Sequence, residues 1–510
     1  MDLAISFFFE KYNYTWLFPV KDRSIPTIDE TTGKNMLTKN IKSTSSNATD
    51  RGKWVRLVAL LGAYMTVLDC TIITIALPSI TAAFQADIAS SQWTITGYLV
   101  AMTACMLIFA RLADYYGKNF IFLSGITLFT LASLGCAFSP DLLTLIITRI
   151  IQGIGAAMAM SLAMAIVFEN SPVEKQGTSI GLLGAVIGLA SISGPVIGGF
   201  LLDLAGWEAI FLINIPIGII LITLGLRSMD CSKPDNFRSF QMDRSGAAVF
   251  VLTMVSFMAG LGCMVHGPDL YWFGALFLLL SVLLVVSFVF IEKKQPRPLL
   301  DLSVFKQKTF IVPLIAMMAF FSAIYILQVS LPFYLEIVWD LSSLEIGLVF
   351  MLVSGILVIG TPIIGKLYDK THWPHYTSLG LIIGASGLLC LGLFAGSMHF
   401  LLLLAALVVY SLGYTLFQSP VNIEIMRGLP IQQSAIASGL SNTGRHLAMT
   451  LGSSIAAIVF VFVFHMSGFN GEIMNANTSL ITSATTQAMM VGALFCFGGF
   501  ILKIRQYKKV

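Results

Sequence analysis

Long runs of apolar residues alternate with short polar segments over most of the chain, and this alternation predicts membrane-spanning helices. About 20 consecutive apolar residues are needed to cross the hydrocarbon core of a bilayer as a helix. Fourteen runs meet this length, which predicts an all-α membrane protein with fourteen transmembrane helices. They lie near residues 55–79, 92–110, 119–138, 142–166, 178–202, 208–227, 245–265, 271–291, 310–334, 343–364, 376–396, 399–421, 435–465 and 484–503.

The composition independently excludes a soluble protein. Of the 510 residues, 56% are hydrophobic and only 11% are charged, whereas about 25% of the residues in a typical soluble domain are charged. The net charge of +4 is too small and too dispersed to indicate nucleic acid as a partner. The seven cysteines form no CxxC pair and no cluster with metal-ligand spacing, so we expect them to be packing residues and expect no metal site.

The positions of Lys and Arg indicate how the spans are oriented. When the loops are assigned alternately to two sides of a membrane, the basic residues fall on one side and the other side carries acids. Lys and Arg concentrate on cytoplasmic loops. Both termini are therefore predicted to be cytoplasmic, in a multi-pass protein of the cell (inner or plasma) membrane.

A repeated sequence frame divides the chain into two halves. The order small–basic–Leu–x–Asp occurs in the loop after the second span, at residues 110–114, and again after the tenth span, at residues 365–369. Two helical halves around a central site are the architecture of many secondary transporters. The predicted organisation is a cytoplasmic leader without regular structure (1–53), an N-terminal six-helix bundle (54–228), a linker with two inserted transmembrane helices (229–295), a C-terminal six-helix bundle (296–504) and a cytoplasmic tail (505–510).

Several motifs, taken in order, resemble one family, the fourteen-span drug:proton antiporters (QacA/EmrB type) of the major facilitator superfamily. The resemblance covers about residues 54–503 and implies the major facilitator fold, in which two six-helix bundles rock around a central cavity. It rests on LDCTIITIALP (68–78), ARLADYYGKNF (110–120), LIITRIIQGIGAA (145–157), SGPVIGG (193–199), WEAIFLINIPIG (207–218) and the stretch from Pro420 through Asn442 and Arg445.

Asp69 is the most informative single residue. It lies about 20 Å into the first span at 1.5 Å per residue. A charged carboxylate near the bilayer centre costs about 2.5–3.5 kcal/mol on insertion scales, and protonation reduces this cost. We therefore predict that Asp69 carries a proton, a role that the resemblance also implies; the alternative is a structural hydrogen bond to a neighbouring helix.

Arg149 is the only basic residue well inside the first six spans. The resemblance ties the fourth-span Arg to proton transfer, and a fixed positive charge near the cavity would act on a nearby carboxyl. We therefore predict that Arg149 and Asp69 are the proton-coupling residues. The alternative is that Arg149 only packs, or extends toward the outer membrane surface.

The loop after the second span is predicted to control closure of the cytoplasmic side. In it, Asp114 could accept hydrogen bonds from the N-terminus of the next helix, whose dipole favours negative charge. The alternative is an ordinary surface turn. The predicted gating residues are Arg111, Asp114, Gly117 and Lys118, with Asp369 from the second copy of the frame.

Small residues in the fifth span and four scattered polar or aromatic residues complete the candidates. The resemblance implies that the antiporter motif Gly194, Pro195, Gly198 and Gly199 seals the pump against leak, and close helix packing is compatible with that role. The residues proposed for the cavity are Trp93, Tyr98, Asn442 and Arg445, although an interfacial anchor is the stronger interpretation of Trp93.

The expected function is proton-driven export of hydrophobic, cationic or amphipathic drugs, with the proton gradient as driving force and no cofactor. No GxxxxGK[ST] loop and no HExxH motif is present, so we expect no enzyme. The alternatives are a dedicated exporter of one metabolite, lipid or antibiotic on the same fold, and, in a different class, a membrane enzyme or receptor. The expected partners are a small-molecule substrate, protons and the lipid bilayer; a monomer is expected, and an accessory envelope protein stays open.

Overall fold

The computed structural model describes residues 30–86, 88–231, 243–265, 270–295, 298–396, 399–468 and 477–507. The chain divides into two units, Met1–Asp50 and Arg51–Val510. Residues 1–29 of the predicted leader and 508–510 of the predicted tail lie outside the described residues. The first described helix begins at Glu30, inside the segment for which the sequence predicts no regular structure.

Fourteen long helices, numbered here α1 to α14, make up almost all of the described chain. The first eight are α1 (Glu30–Ala83), α2 (Ile88–Tyr116), α3 (Lys118–Ala137), α4 (Leu142–Glu169), α5 (Gln176–Ala205), α6 (Asn214–Ser228), α7 (Arg244–Val265) and α8 (Tyr271–Lys294). The last six are α9 (Lys308–Trp339), α10 (Ser343–Thr371), α11 (Tyr376–Phe394), α12 (Phe400–Arg427), α13 (Ser434–Met466) and α14 (Thr478–Tyr507). A four-residue helix, Ala209–Leu212, leads into α6.

Each of the fourteen predicted spans is confirmed as a helix long and apolar enough to cross a membrane. In α1 the membrane-length part is Arg51–Leu77. Helices satisfy their own backbone hydrogen bonds, which is what a chain needs inside lipid. Polar residues mark several helix starts: Asp141 accepts a hydrogen bond from the Thr144 amide at 2.8 Å, and Ser342 with Glu345 forms a capping box at α10.

The two halves meet through two equivalent helix pairs. The second helix of the first half, α2, packs against α13, the fifth helix of the second half, and α10 packs against α5 in the same way. Small residues permit this close approach. A Cβ placed on Gly181 of α5 would lie 3.0 Å from the Cα of Pro362 on α10, and one on Gly439 would overlap Ala110 of α2. The two pairs occupy equivalent positions in the duplicated unit that the repeated sequence frame predicts.

The inserted helices α7 and α8 form an antiparallel pair at the periphery. They pack on each other, and α7 also contacts α2 and α13. The buried residues of α8 are Gly274, Ser281, Phe288 and Glu292 out of 24, so most of its surface is available to lipid. The two halves therefore form the core of the molecule, and the inserted pair is attached to its side.

Candidate functional site

Asp69 lies on α1 and is buried, with 2% of its side chain exposed. The Arg149 Nη1 donates to its Oδ2 at 2.6 Å. The other oxygen, Oδ1, accepts from the Asn214 Nδ2 at 2.7 Å and from the Gln152 Nε2 at 3.0 Å. Both oxygens of the carboxyl group thus accept hydrogen bonds from donors on α4 and α6.

Arg149 on α4 has no exposed side-chain surface. Its Nε donates to the Thr94 carbonyl at 3.0 Å and its Nη1 donates to the Gln152 Oε1 at 2.6 Å. The guanidinium carbon lies 4.3 Å from the centroid of the Tyr98 ring and 5.7 Å from that of Phe211, distances typical of cation–π contacts. The alternative in which Arg149 extends toward the membrane surface is wrong, because its charge is neutralised inside the protein by Asp69.

Two amide residues of this network, Gln152 and Asn214, are not singled out by the sequence analysis. Gln152 lies three positions after Arg149 and therefore on the same face of α4; its Nε2 also donates to the Ser133 Oγ at 2.7 Å. Both amides lie inside the motifs at 145–157 and 207–218, where polar side chains interrupt an apolar run. A polar side chain inside a membrane-spanning run is the signal that could have identified them.

Close helix contacts position this network. A Cβ placed on Gly153 would lie 2.5 Å from the carbonyl oxygen of Tyr98, closer than real Cβ atoms come. The glycine therefore lets the α2 and α4 backbones touch one turn from Arg149, which brings the Tyr98 ring over the guanidinium.

The antiporter motif on α5 packs against α1 immediately after Asp69. A Cβ placed on Gly194 would lie 2.7 Å from the Thr71 Cβ, and one on Gly198 would lie 3.3 Å from the Ile72 Cγ2. Gly199 has no atom within 4 Å of such a Cβ, and the Pro195 side chain lies outside the described residues. Two of the predicted glycines therefore hold α5 against the helix that carries Asp69.

On the side of the basic loops, called here the basic side, Asp369 joins the two halves. Its Oδ1 accepts from the Gly177 amide at 2.6 Å, and its Oδ2 accepts from the Thr178 amide at 2.7 Å and the Thr178 hydroxyl at 2.8 Å. These donors are at the N-terminus of α5, where the helix dipole favours a negative charge. Nearby, the Arg427 Nη2 donates to the Gln176 Oε1 at 2.9 Å. These contacts close the basic side where α5 meets α10 and α12, a line of contact called here the seam.

The predicted helix-capping role of Asp114 is wrong. Its Oδ2 instead accepts from the Arg111 Nη1 at 2.9 Å, one turn earlier on α2, and α3 has no side-chain cap. Gly117 precedes α3 with φ 90°, a conformation that favours glycine. The loop therefore contains a local ion pair and a glycine turn rather than a capped helix.

Lys118, in the same loop, makes a contact between the two halves. Its Nζ donates to the Ser434 Oγ at 2.7 Å, at the N-terminus of α13, and it forms an ion pair with Glu169 at the end of α4. The Ser434 hydroxyl also donates to Glu169. The sequence does not single out Glu169 or Ser434, because polar and charged residues at helix ends are usually solvated.

A small pocket lies between the halves, where α4 and α5 face α12 and α13. Of the residues proposed for the cavity, Asn442 and Arg445 line it; Tyr98 belongs to the Asp69 network, and Trp93 is 53% exposed. Arg445 donates to the Asn422 Oδ1 at 3.1 Å, and its guanidinium lies 4.9 Å from the centroid of the Phe321 ring. The other lining residues are Met160, Ala163, Met164, Ile180, Leu183, Gly184, Ile187 and Gln418.

The pocket and the Asp69 network share helix α4 but are separate. Met160 lines the pocket, and it is about 16 Å along α4 from Arg149 at 1.5 Å per residue. The Asn442 Nδ2 donates to the Met160 carbonyl at 2.9 Å and thereby connects α13 to this helix.

Comparison with known proteins agrees with the fold. The model of the Major Facilitator Superfamily matches residues 59–453. The riboflavin transporter RibZ of Clostridioides difficile is 32% identical over 89% of this chain and 97% of its own length. The probable multidrug resistance protein EmrY of Escherichia coli is 28% identical over 81% of each chain.

One solved structure supports the same architecture. The human organic anion transporter MFSD10 (TETRAN) superposes with a TM-score of 0.63 over 89% of this chain and 99% of that one, at 15% identity. This likeness concerns the fold alone. Together with the fourteen spans and the family match, it identifies a multi-pass membrane protein of the Major Facilitator Superfamily.

Proposed function

We propose that this chain is a proton-coupled exporter of amphipathic organic compounds, in which Asp69 binds the transported proton. The observation that carries the proposal is the buried ion pair between Asp69 and Arg149, 2.6 Å apart, in a membrane-spanning helix bundle. A charged pair so far from water is costly to bury. Such intramembrane charges commonly mark proton or ion pathways.

The chemistry of the pair explains how a proton could drive a conformational change. When Asp69 is ionised, it neutralises Arg149, and both of its oxygens are bonded. When it accepts a proton, the guanidinium loses its counter-charge while still buried. An unpaired buried charge costs about 3–5 kcal/mol, which is enough to shift an equilibrium between two conformations.

The two states that this mechanism needs differ in which side is closed. In the structure, the basic side is closed by Asp369 at α5 and by Lys118 at α13, and we propose that this is the state in which Asp69 is ionised. We propose that the basic side faces the cytoplasm, because loops rich in Lys and Arg are retained there. Proton binding would then precede opening toward the cytoplasm, and export would follow proton release.

A dedicated exporter of one compound is the second candidate, and the pocket favours it. Arg445 is the only charged residue that lines the pocket in the described chain, and no carboxylate lines it. Its charge would repel a permanently cationic drug and would attract a compound with hydrogen-bond acceptors or a negative charge. The cavity has room for about one water molecule in this structure (about 10 Å³), so it would have to open before it could admit such a compound. The relative named a riboflavin transporter is consistent with this second candidate.

Efflux of a fluorescent lipophilic cation such as ethidium tests the first proposal. Cells that produce the wild type should export the dye, and a protonophore or Asp69→Asn should abolish export at unchanged membrane levels. The control is Asp141→Asn, which removes an exposed carboxylate from the start of α4 and should leave export intact. Uphill export by Asp69→Asn would show that another group carries the proton.

Transport by proteoliposomes separates the two candidates. Ethidium and riboflavin are offered separately under an imposed pH gradient. Movement of ethidium supports broad export; movement of riboflavin alone, lost in Arg445→Met and retained in Arg445→Lys, supports the dedicated exporter. Equal riboflavin transport by Arg445→Met would exclude the pocket charge as the determinant of substrate class.

A further inference from the structure

A second pair of buried acids lies at the base of the inserted helices, away from the Asp69 network. Asp243 immediately precedes α7 and is 7% exposed, and Glu292 in the last turn of α8 is 3% exposed. Because α7 and α8 are antiparallel, these two ends meet on the basic side. The proposed transport mechanism uses neither residue.

In each carboxyl group, one oxygen accepts hydrogen bonds. The other, called here the bare oxygen, has no hydrogen-bond partner among the described residues. The Asp243 Oδ1 accepts from the Ser245 hydroxyl at 2.5 Å and from the Gly246 amide at 2.9 Å. The Glu292 Oε2 accepts from the Leu300 amide at 3.2 Å. The remaining oxygens, Asp243 Oδ2 and Glu292 Oε1, are buried without a hydrogen-bond partner among the described residues.

The two bare oxygens converge on one point. A Cβ placed on Gly246 would overlap both of them, at no more than 2.5 Å from either. They are therefore at most about 5 Å apart, a separation at which two carboxylates strongly disfavour ionising together. The distance permits a shared proton directly or through one water.

The charged residues around Asp243 and Glu292 do not neutralise these two carboxyl groups. Arg111 on α2 is close enough for its charge to act on Glu292 and Asp301, but its ion pair is with Asp114. Hydrogen bonds from Ser303, with a smaller contribution from Arg111, hold the pKa of the Asp301 carboxyl below its usual range. From α13, which also packs on α7, residues 434–444 present no titratable side chain. The flanking cations Arg244, Lys293 and Lys294 are exposed.

We infer that Asp243 and Glu292 form a second proton-binding site, in which the two carboxyl groups hold one proton between them at neutral pH. A proton supplies the donor that both bare oxygens lack and removes one of two adjacent buried charges. Loss of that proton would leave like charges facing each other and would loosen the inserted pair. The site does not depend on the proposed role of Asp69.

Infrared spectroscopy of the purified protein in lipid nanodiscs tests this inference without any transport assay. A protonated carboxyl gives a C=O stretching band that a carboxylate lacks. At neutral pH, the wild type should have such a band, and both Glu292→Gln and Asp243→Asn should lose it. Asp69→Asn, which removes the third buried acidic side chain among the described residues, should keep it.

The pH dependence of folding stability gives a second test that does not rely on the infrared band. The folded wild type would hold one proton that the unfolded chain releases, so raising the pH should destabilise it. The unfolding equilibrium constant should rise by up to about tenfold per pH unit from this group, and Glu292→Gln should lack that component. Retention of the band in both variants, or its absence from the wild type, would overturn the inference. An absent band with stability that depends on Na⁺ would assign the site to a metal cation instead.

Discussion

The strength of the Asp69–Arg149 pair can be measured with a double-mutant cycle. Asp69→Asn leaves a guanidinium that has no exposed surface without its counter-charge, which should cost about 3–5 kcal/mol of folding free energy. Arg149→Met leaves Asp69 with its two amide donors, Gln152 and Asn214, so its cost should be at the lower end of that range. The double variant leaves neither charge unpaired and should recover about 2–3 kcal/mol relative to the sum of the single changes.

The assay is equilibrium unfolding in mixed micelles with increasing dodecyl sulfate, followed by circular dichroism. The control cycle is Asp114→Asn with Arg111→Met, because these side chains form a pair of the same type that is 21% and 24% exposed. Screening by water should limit that coupling to about 0.2–1 kcal/mol. If the effects at Asp69 and Arg149 add to within about 0.5 kcal/mol, the two groups are independent, and the proposed proton switch has no physical basis.

Two further predictions concern the contacts that close and pack the bundle. Asp369→Asn should weaken the seam on the basic side by about 1–3 kcal/mol. A maleimide should then label a cysteine introduced at the buried Ser419 about 5 to 150 times faster. Unchanged labelling would show that this carboxylate does not hold the seam. Gly194→Ala should destabilise the bundle by about 1–3 kcal/mol through its clash with Thr71, whereas Gly199→Ala, with open space around it, should be neutral or slightly stabilising. Equal effects of the two alanines in the same unfolding assay would contradict the packing described for α5.

The span pattern could be predicted from the sequence because lipid imposes one requirement on every segment, about 20 apolar residues in a helix. All fourteen spans follow from it. The same requirement identifies Asp69 and Arg149, since a charge inside an apolar run is conspicuous. Their contact could not be predicted, because it depends on how α1 and α4 are placed in three dimensions.

Residues at helix ends were harder to interpret from the sequence. Charges are expected there, so Glu169, Asp243 and Glu292 look like ordinary flanking residues, although each is wholly or partly buried. For the same reason the partner of Asp114 was predicted wrongly: both a helix N-terminus and Arg111 were within reach. Local sequence does not distinguish between such partners, whereas the packing of neighbouring helices does.

The most direct test of proton coupling through Asp69 is proton movement by proteoliposomes that contain a pH-sensitive dye. The substrate is whichever of ethidium and riboflavin the wild type transports, and its gradient is the only driving force. The account predicts that the wild type moves protons against the substrate flow and that Asp69→Asn moves none, although it still binds the substrate. Proton movement at the wild-type rate by Asp69→Asn would contradict the account.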